Sequence, residues 1–412
     1  MRLITLISFF ILVLATACQS QRTAEKTEAE ETVEVSPEII PAAWQTEKYL
    51  PILEGKNIAA VVNHTSHIGD THLVDSLLAM GVQLKTIFAP EHGFRGEAGA
   101  GEHIQNSTDT KTGLPIISLY GKNKKPLPEQ LKNIDLVIFD IQDVGARFYT
   151  YISTMHYVME ACAELGKEVL VLDRPNPNGY YVDGPVLEME QQSFVGMHPI
   201  PVVHGLTVAE LAQMINGEGW LEGGKECKLH IVEVKNYTHS DRYKLPIRPS
   251  PNLPNNQAIN LYPSLCLFEG TVMSIGRGTE FPFQVVGYPD TTFSSLGKDT
   301  DFSFVPEDVP GVAMDPKHEG ERCYGLDLRE SAHLSGFKLD YLISFYQQAS
   351  TLGISDEDFF RESFFDLLAG TKKLRSQLTS GVEQAEIRQS WSADLEAYKS
   401  LRKKYLLYKD FE

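Results

Sequence analysis

Short, continuous apolar runs alternate with helical patterns through the first half of this chain, and each run ends in a polar tip. Ala59-Ala60-Val61-Val62 leads into Asn63-His64-Thr65-Ser66, and Leu84 to Phe88 leads into Ala89-Pro90-Glu91-His92-Gly93-Phe94-Arg95-Gly96. Leu136-Val137-Ile138-Phe139 leads into Asp140-Ile141-Gln142-Asp143-Val144-Gly145-Ala146-Arg147, and Val169-Leu170-Val171-Leu172 into Asp173-Arg174-Pro175-Asn176. Runs of this length suit parallel strands buried on both faces. Between them lie two helical patterns, Leu73 to Met80 closed by Gly81 and Ile152 to Cys162 closed by Gly166. The alternation predicts an α/β fold with a Rossmann-like, doubly wound, mostly parallel sheet. Val61, Ile87, Ile138 and Val171 should then lie in parallel strands of one sheet. Asn63, Glu91, Asp143 and Asp173 should gather at its carboxyl edge, where such sheets bind ligands.

Farther along, Thr207 and Glu210 have the spacing of a capping box, so a helix should start at Val208 and end near Gly217. Lys228 to Val234 alternates like a strand and can add to the sheet. A domain boundary is expected between Tyr237 and Tyr243. Pro- and Asn-rich loops follow, then Gly276-Arg277-Gly278-Thr279, which has neither a Walker lysine nor GxGxxG spacing. Arg277 either grips a carboxylate or sugar hydroxyls, or points outward from a β-bulge. Helical patterns through Asp356–Leu378 and Trp391–Leu407 read as a packing layer.

At 412 residues the chain is long enough for two domains, and its 42% hydrophobic and 22% charged residues are ordinary for a folded protein. A net charge of −18 argues against a nucleic-acid partner. The N-terminus changes the picture more. Arg2, the apolar stretch Leu3 to Leu14 and the small residues Ala15-Thr16-Ala17 before Cys18 read as an export signal. They look like the lipobox of a bacterial lipoprotein, with Cys18 as the lipid-carrying residue. The expected organisation is a signal peptide over 1–17, a disordered tether over 18–43, a catalytic domain over 44–240 and a second domain over 241–412. The tether would span on the order of 80 Å fully extended. The expected location is periplasmic or associated with the outer membrane. Cys162, Cys227, Cys266 and Cys323 are widely spaced, which predicts plain core cysteines and no structural metal. No strand runs into GxGxxG, so a nicotinamide enzyme is disfavoured, and no cofactor is expected.

The motifs together resemble a known family. Asn63-His64-Thr65, Pro90 to Gly96, Phe139 to Tyr151, Asp173 to Pro177, His204-Gly205-Leu206-Thr207, Pro249-Ser250-Pro251-Asn252 and Gly276 to Thr279 look like the NamZ-type exo-β-N-acetylmuramidases. The resemblance runs from about Ala43 to the C-terminus. It implies a glycoside hydrolase that removes N-acetylmuramic acid from the non-reducing ends of peptidoglycan fragments. It also implies a second, smaller α+β domain that completes the cleft.

Glycoside hydrolysis needs an acid on the leaving oxygen and, in most enzymes, a second carboxylate. Glu91 is the acid candidate, since the turn past Pro90 beside Phe94 is a partly dehydrated place. Asp143, Asp140, Glu269 and Glu280 compete for the second role, and an acetamido group can also serve as internal nucleophile. Arg147, Arg174, Arg248, Arg277 and Arg95 are candidates for the lactyl carboxylate of the substrate. Arg174, before Pro175, is the one best placed to brace the backbone. Tyr149 and Tyr151 can stack on sugar faces or pack in the core. Asn63, His64, His92, His204, Asp173 and Asn252 complete the polar set. Two other readings use the same residues: a metal-assisted cell-wall amidase or esterase, with His64, His92, Glu91 and Asp143 as ligands, and a lipoprotein that binds muropeptides without cleaving them.

Overall fold

The strand Ile58–Val62 (β1) lies at the centre of the main sheet because every one of its side chains is buried. The computed structural model describes residues 37–94 and 106–412. The signal peptide, Cys18, most of the tether, Arg95 and Gly96 therefore lie outside the described residues. The sheet's other strands are Leu84–Ala89 (β2), Ser107–Thr108 (β3), Pro115–Ser118 (β4), Leu136–Asp140 (β5), Glu168–Leu172 (β6) and Lys228–Val232 (β7). Their order is β7-β6-β5-β1-β2-β4-β3. All neighbours run parallel except β3, which is antiparallel to β4.

The register aligns Ala60 with both Ile87 and Ile138, and Phe139 with Val171. The expected strands thus share one sheet. Alternate residues feed two cores, as a two-residue side-chain period requires. Ala59, Val61, Phe88, Val137, Phe139 and Val171 point to one face, where the helices Tyr151–Leu165 and Val208–Gly217 pack. Ile58, Ala60, Val62, Ile87, Ile138 and Leu170 point to the other, against the helices Thr46–Leu53 and Leu73–Ala79. Gly166 ends the helix Tyr151–Leu165 in the left-handed conformation, and Thr207 and Glu210 form the expected reciprocal cap.

The smaller C-terminal part is built mainly of helices. They include Asn256–Leu265, Asp340–Thr351, Glu362–Ala369, Lys373–Thr379 and Ser392–Arg402. These pack around an antiparallel sheet in which Cys323–Asp327 lies between Val285–Tyr288 and Ser303–Phe304. Its last segment returns to the first part. Arg402 donates from Nε and Nη2 to the Gly205 carbonyl (3.0 and 2.8 Å), and the Tyr408 hydroxyl donates to Asp173 at 2.5 Å. Cys162, Cys227, Cys266 and Cys323 are free, buried thiols.

Residues just before Trp44, inside the stretch expected to be tether, pack onto the folded body. The Ile40 N–H donates to the Lys235 carbonyl at 3.0 Å, the Ala42 N–H to the Asp173 carbonyl at 3.0 Å, and Ala42 and Ala43 are fully buried. Small apolar residues such as Ala42 and Ala43 fit readily into a core edge.

Candidate active site

Pro90 ends β2, and His92 and Gly93 then turn the chain through positive φ (69° and 77°). The turn sets Glu91 and His92 on the wall of a cavity of about 250 Å³. Thr150 holds Glu91 in place. It stands at the start of the helix Tyr151–Leu165, yet its hydroxyl does not cap that helix and donates to Glu91 Oε2 at 2.9 Å. The Tyr151 hydroxyl donates to the Glu91 carbonyl at 3.4 Å. Tyr120 also hydrogen-bonds Glu91; burial first, and then the Glu91 charge, push its phenol well above the usual range.

One side of the cavity is aromatic. Tyr149 meets Tyr151 edge to face at 4.9 Å and Tyr262 at 5.9 Å, and Tyr262 meets Phe283 at 4.9 Å. The Tyr149 hydroxyl is spent on the Pro249 carbonyl at 2.8 Å, so its ring is fixed. The remaining polar wall comes from the C-terminal part. Gly276 and Gly278 flank Arg277 with φ of +76° and +78°, and a Cβ on Gly278 would lie 2.3 Å from the Glu307 carbonyl oxygen. That backbone aims Arg277 inward, where Nε donates to Glu269 Oε1 and the guanidinium lies 5.0 Å from the Phe283 ring centroid. Desolvation works against the Arg277 charge, but the Glu269 carboxylate outweighs it and holds the group above its ordinary value. Behind Glu269, Lys317 Nζ donates to the carbonyls of Phe268, Glu269, Thr271 and Met273 (2.9, 3.2, 2.6 and 3.1 Å), and burial pushes it down to about 7. Asn252 completes the wall. Its Nδ2 donates to the Val312 carbonyl at 2.7 Å, which fixes the amide, while Oδ1 is buried with no partner among the described residues.

Of the candidate residues, the structure brings Glu91, His92, Tyr149, Tyr151, Asn252, Glu269 and Arg277 to one cavity. The others stand elsewhere. Asp140 is fully buried and paired with Arg174, whose Nε and Nη2 reach its two oxygens at 2.5 and 2.8 Å. Asp143 lies buried outside the lining; its Oδ2 accepts the Gly145 N–H at 2.6 Å, and burial pushes it up to about 7 against that bond. His204 Nε2 is 3.9 Å from Asp143 Oδ2, but burial pushes the imidazole down to about 3, so they form no ion pair near neutrality. Asp173 accepts from the Ala209 N–H at 3.0 Å and from Tyr408, a structural junction. Arg147 is fully buried and donates to the carbonyls of Pro185, Ile200 and Leu368 at 2.8 to 2.9 Å. Asn63 Oδ1 accepts from both the N–H and the hydroxyl of Thr65. His64 Nε2 meets the carbonyl of the exposed Arg248 at 2.8 Å, and Glu280 is exposed.

Tyr120, Thr150 and Tyr262 were not singled out in the sequence. A Thr before a helix reads as a cap, which conceals the contact to Glu91. Tyr120 follows β4, a strand too short to announce itself. Among the described residues one group of possible metal ligands occurs, Glu160, Glu164 and Glu222, and Lys125 bonds the first two at 2.8 and 2.9 Å. His64, His92, Glu91 and Asp143 do not gather into such a group.

The chain matches the family description "Exo-beta-N-acetylmuramidase NamZ, N-terminal" over residues 58–257 and its C-terminal counterpart over residues 260–408. It is 38% identical over 373 residues to the peptidoglycan β-N-acetylmuramidase NamZ of Bacillus subtilis (strain 168), covering 87% of this chain and 89% of that protein. Two DUF1343 family crystal structures from Bacteroides fragilis NCTC 9343 share the fold. BF0379 has a TM-score of 0.82 at 46% identity, covering 91% of this chain, and BF0371 has 0.77 at 32%, covering 90%; both are matched over 100% of their own length. The chain belongs to the NamZ exo-β-N-acetylmuramidase family.

Proposed function

We propose that this protein is an exo-β-N-acetylmuramidase that releases N-acetylmuramic acid from the non-reducing ends of peptidoglycan fragments, with Glu91 as general acid. The observation that carries this reading is the single cavity lined by Glu91 on one part of the chain and by Glu269 and Arg277 on the other. An acid that must protonate a glycosidic oxygen has to be held at the wall of a sugar-sized space, and Thr150 gives Glu91 that anchorage. The aromatic side supplies faces for a pyranose. Asn252 Oδ1 offers a buried acceptor to a hydroxyl or an acetamido N–H. Glu269 is the second carboxylate on this wall, whereas Asp140 is spent on Arg174 and Asp143 lies outside the lining.

An aryl β-N-acetylmuramide, offered beside the matching N-acetylglucosaminide and a natural disaccharide, tests the reading. Glu91→Gln should fold normally and lose roughly 10²–10⁴-fold in turnover of the disaccharide. The loss should shrink on the aryl substrate, whose leaving group needs no proton. Equal losses on both would assign Glu91 to nucleophile or base, and near-normal rates on both would remove it from catalysis.

The proposal includes export and a lipid on Cys18, supported by the charge, apolar core and small residues that precede it. Labelled palmitate should enter the protein and be lost in Cys18→Ala; unchanged labelling would refute the anchor.

A further inference from the structure

A second pocket, of about 360 Å³, sits where the sheet changes direction. β1 has β2 on one side and β5 on the other, so the chain winds away from β1 in both directions. Ligands of open α/β sheets bind in the crevice outside the carboxyl ends of such strands. Here Thr65 follows β1, Gln142 follows β5, and the Gln142 N–H donates to Thr65 Oγ1 at 3.1 Å to close the crevice floor. Glu91 stands instead beyond β2, and among the described residues none lines both this pocket and the catalytic cavity.

We propose that this crevice binds an N-acetylhexosamine unit of a glycan, separately from the catalytic cavity. Trp44 and Tyr243 line its walls. Trp44 is 40% exposed although its indole N–H is already spent on the His67 carbonyl at 3.0 Å, so the ring is oriented and still open to a partner. A pyranose presents a C–H face to such a ring. The floor supplies one donor and one acceptor. Arg174 is only 6% exposed; Nε and Nη2 are bound to Asp140, and Nη1 makes no hydrogen bond among the described residues. Gln142 Nε2 donates to the carbonyls of Asp143 and Pro175, both at 2.8 Å, which fixes the amide and leaves Oε1 with no donor among the described residues. An open donor and an open acceptor on two largely buried side chains, beside two aromatic residues, match the C=O and N–H of an acetamido group. Asp140 neutralises the guanidinium, so the crevice suits a neutral sugar better than a carboxylate.

The glycan identity rests on the muramidase reading, and the experiment separates the two. N,N′-diacetylchitobiose, which lacks a lactyl group, is titrated calorimetrically into the wild type, Trp44→Ala, Tyr243→Ala and Arg277→Ala. Saturable binding is expected, weakened about tenfold or more in each aromatic variant and unchanged in Arg277→Ala. Two aromatic variants guard against one that misfolds, which thermal unfolding would reveal. Turnover of an aryl β-N-acetylmuramide should be the same in Trp44→Ala as in the wild type. A rise in KM for long glycan fragments in that variant would make the bound unit a distal part of the substrate, and an unchanged KM would make it a separate glycan. No saturable binding to the wild type, or binding kept at wild-type strength in both Trp44→Ala and Tyr243→Ala, overturns the proposal. Failure of the muramidase reading would appear elsewhere, as a wild type that does not cleave the aryl muramide.

Discussion

At the scale of single residues, what separates the arginines is where their donors already go. Arg147 has three backbone carbonyls and Arg174 has Asp140, whereas Arg248 is exposed and, among the described residues, only its carbonyl is engaged. Arg277 lines the cavity, and its known partner is a carboxylate, Glu269. A guanidinium that rests on one carboxylate can exchange it for another of the same geometry. Arg277 is therefore the residue expected to read the lactyl carboxylate. The wild type should prefer aryl N-acetylmuramides to N-acetylglucosaminides by roughly 10–10²-fold, because a glucosaminide has no carboxylate to exchange with Glu269. In Arg277→Ala the preference should collapse through loss of muramide turnover, with glucosaminide rates little changed. If the preference survives, specificity lies elsewhere in the site. This assignment was not legible in the sequence, where all five arginines sit in similar loops; it depends on contacts between segments far apart in the chain.

Elements were more legible than residues, for a physical reason. Parallel strands buried on both faces read as continuous apolar runs, and β1, β5 and β6 announce themselves that way, whereas β2 carries an exposed Lys85 and then Thr86 before its apolar end. The Thr207–Glu210 cap is local chemistry and was equally plain. The short pieces were not. Asp183–Val186 and Pro201–Val203 pair across a long connection, and Ser303–Phe304 is a two-residue strand whose partner Cys323–Asp327 lies well downstream. Their pairing is decided by tertiary packing, which leaves no period to read. The turn Cys266–Gly270 shows what this conceals. It carries Glu269, and Lys317, from a distant loop, satisfies the carbonyls that hold it. The sequence offered Glu269 and Arg277 as separate candidates; they pair within the C-terminal part, and the wall they share with Glu91 appears only once that part has folded against the strand tips.

For the molecule as a whole, the returning C-terminal segment ties stability to proton uptake. Asp173 follows β6, accepts from the helix Val208–Gly217 through the Ala209 N–H, and accepts from Tyr408 near the chain's end. Burial pushes its carboxyl up to about 7, against the Tyr408 and Ala209 bonds. The folded state thus keeps a proton that the unfolded chain releases near its ordinary value of 3.8. The stability contributed by that proton is complete below about pH 4 and is lost as pH rises through about 7. Buried histidines act the other way. Burial pushes His204 down to about 3 and lowers His64, His156 and His198, so the unfolded chain gains protons below about 6.5 that the fold excludes. Their contribution is present above that pH and lost as it falls. The two effects oppose each other over the same window, so a wild-type stability curve masks both. Asp173→Asn uncovers the carboxyl term, because Asn keeps an acceptor for the Ala209 N–H and does not titrate. Measured by urea unfolding from pH 4.5 to 8, the variant should gain on the wild type as pH rises, by at most on the order of 4 kcal/mol. A gap between the two curves that stays constant with pH would mean that Asp173 is charged in the fold, and that the junction is held by ionic hydrogen bonds to Tyr408 and Ala209.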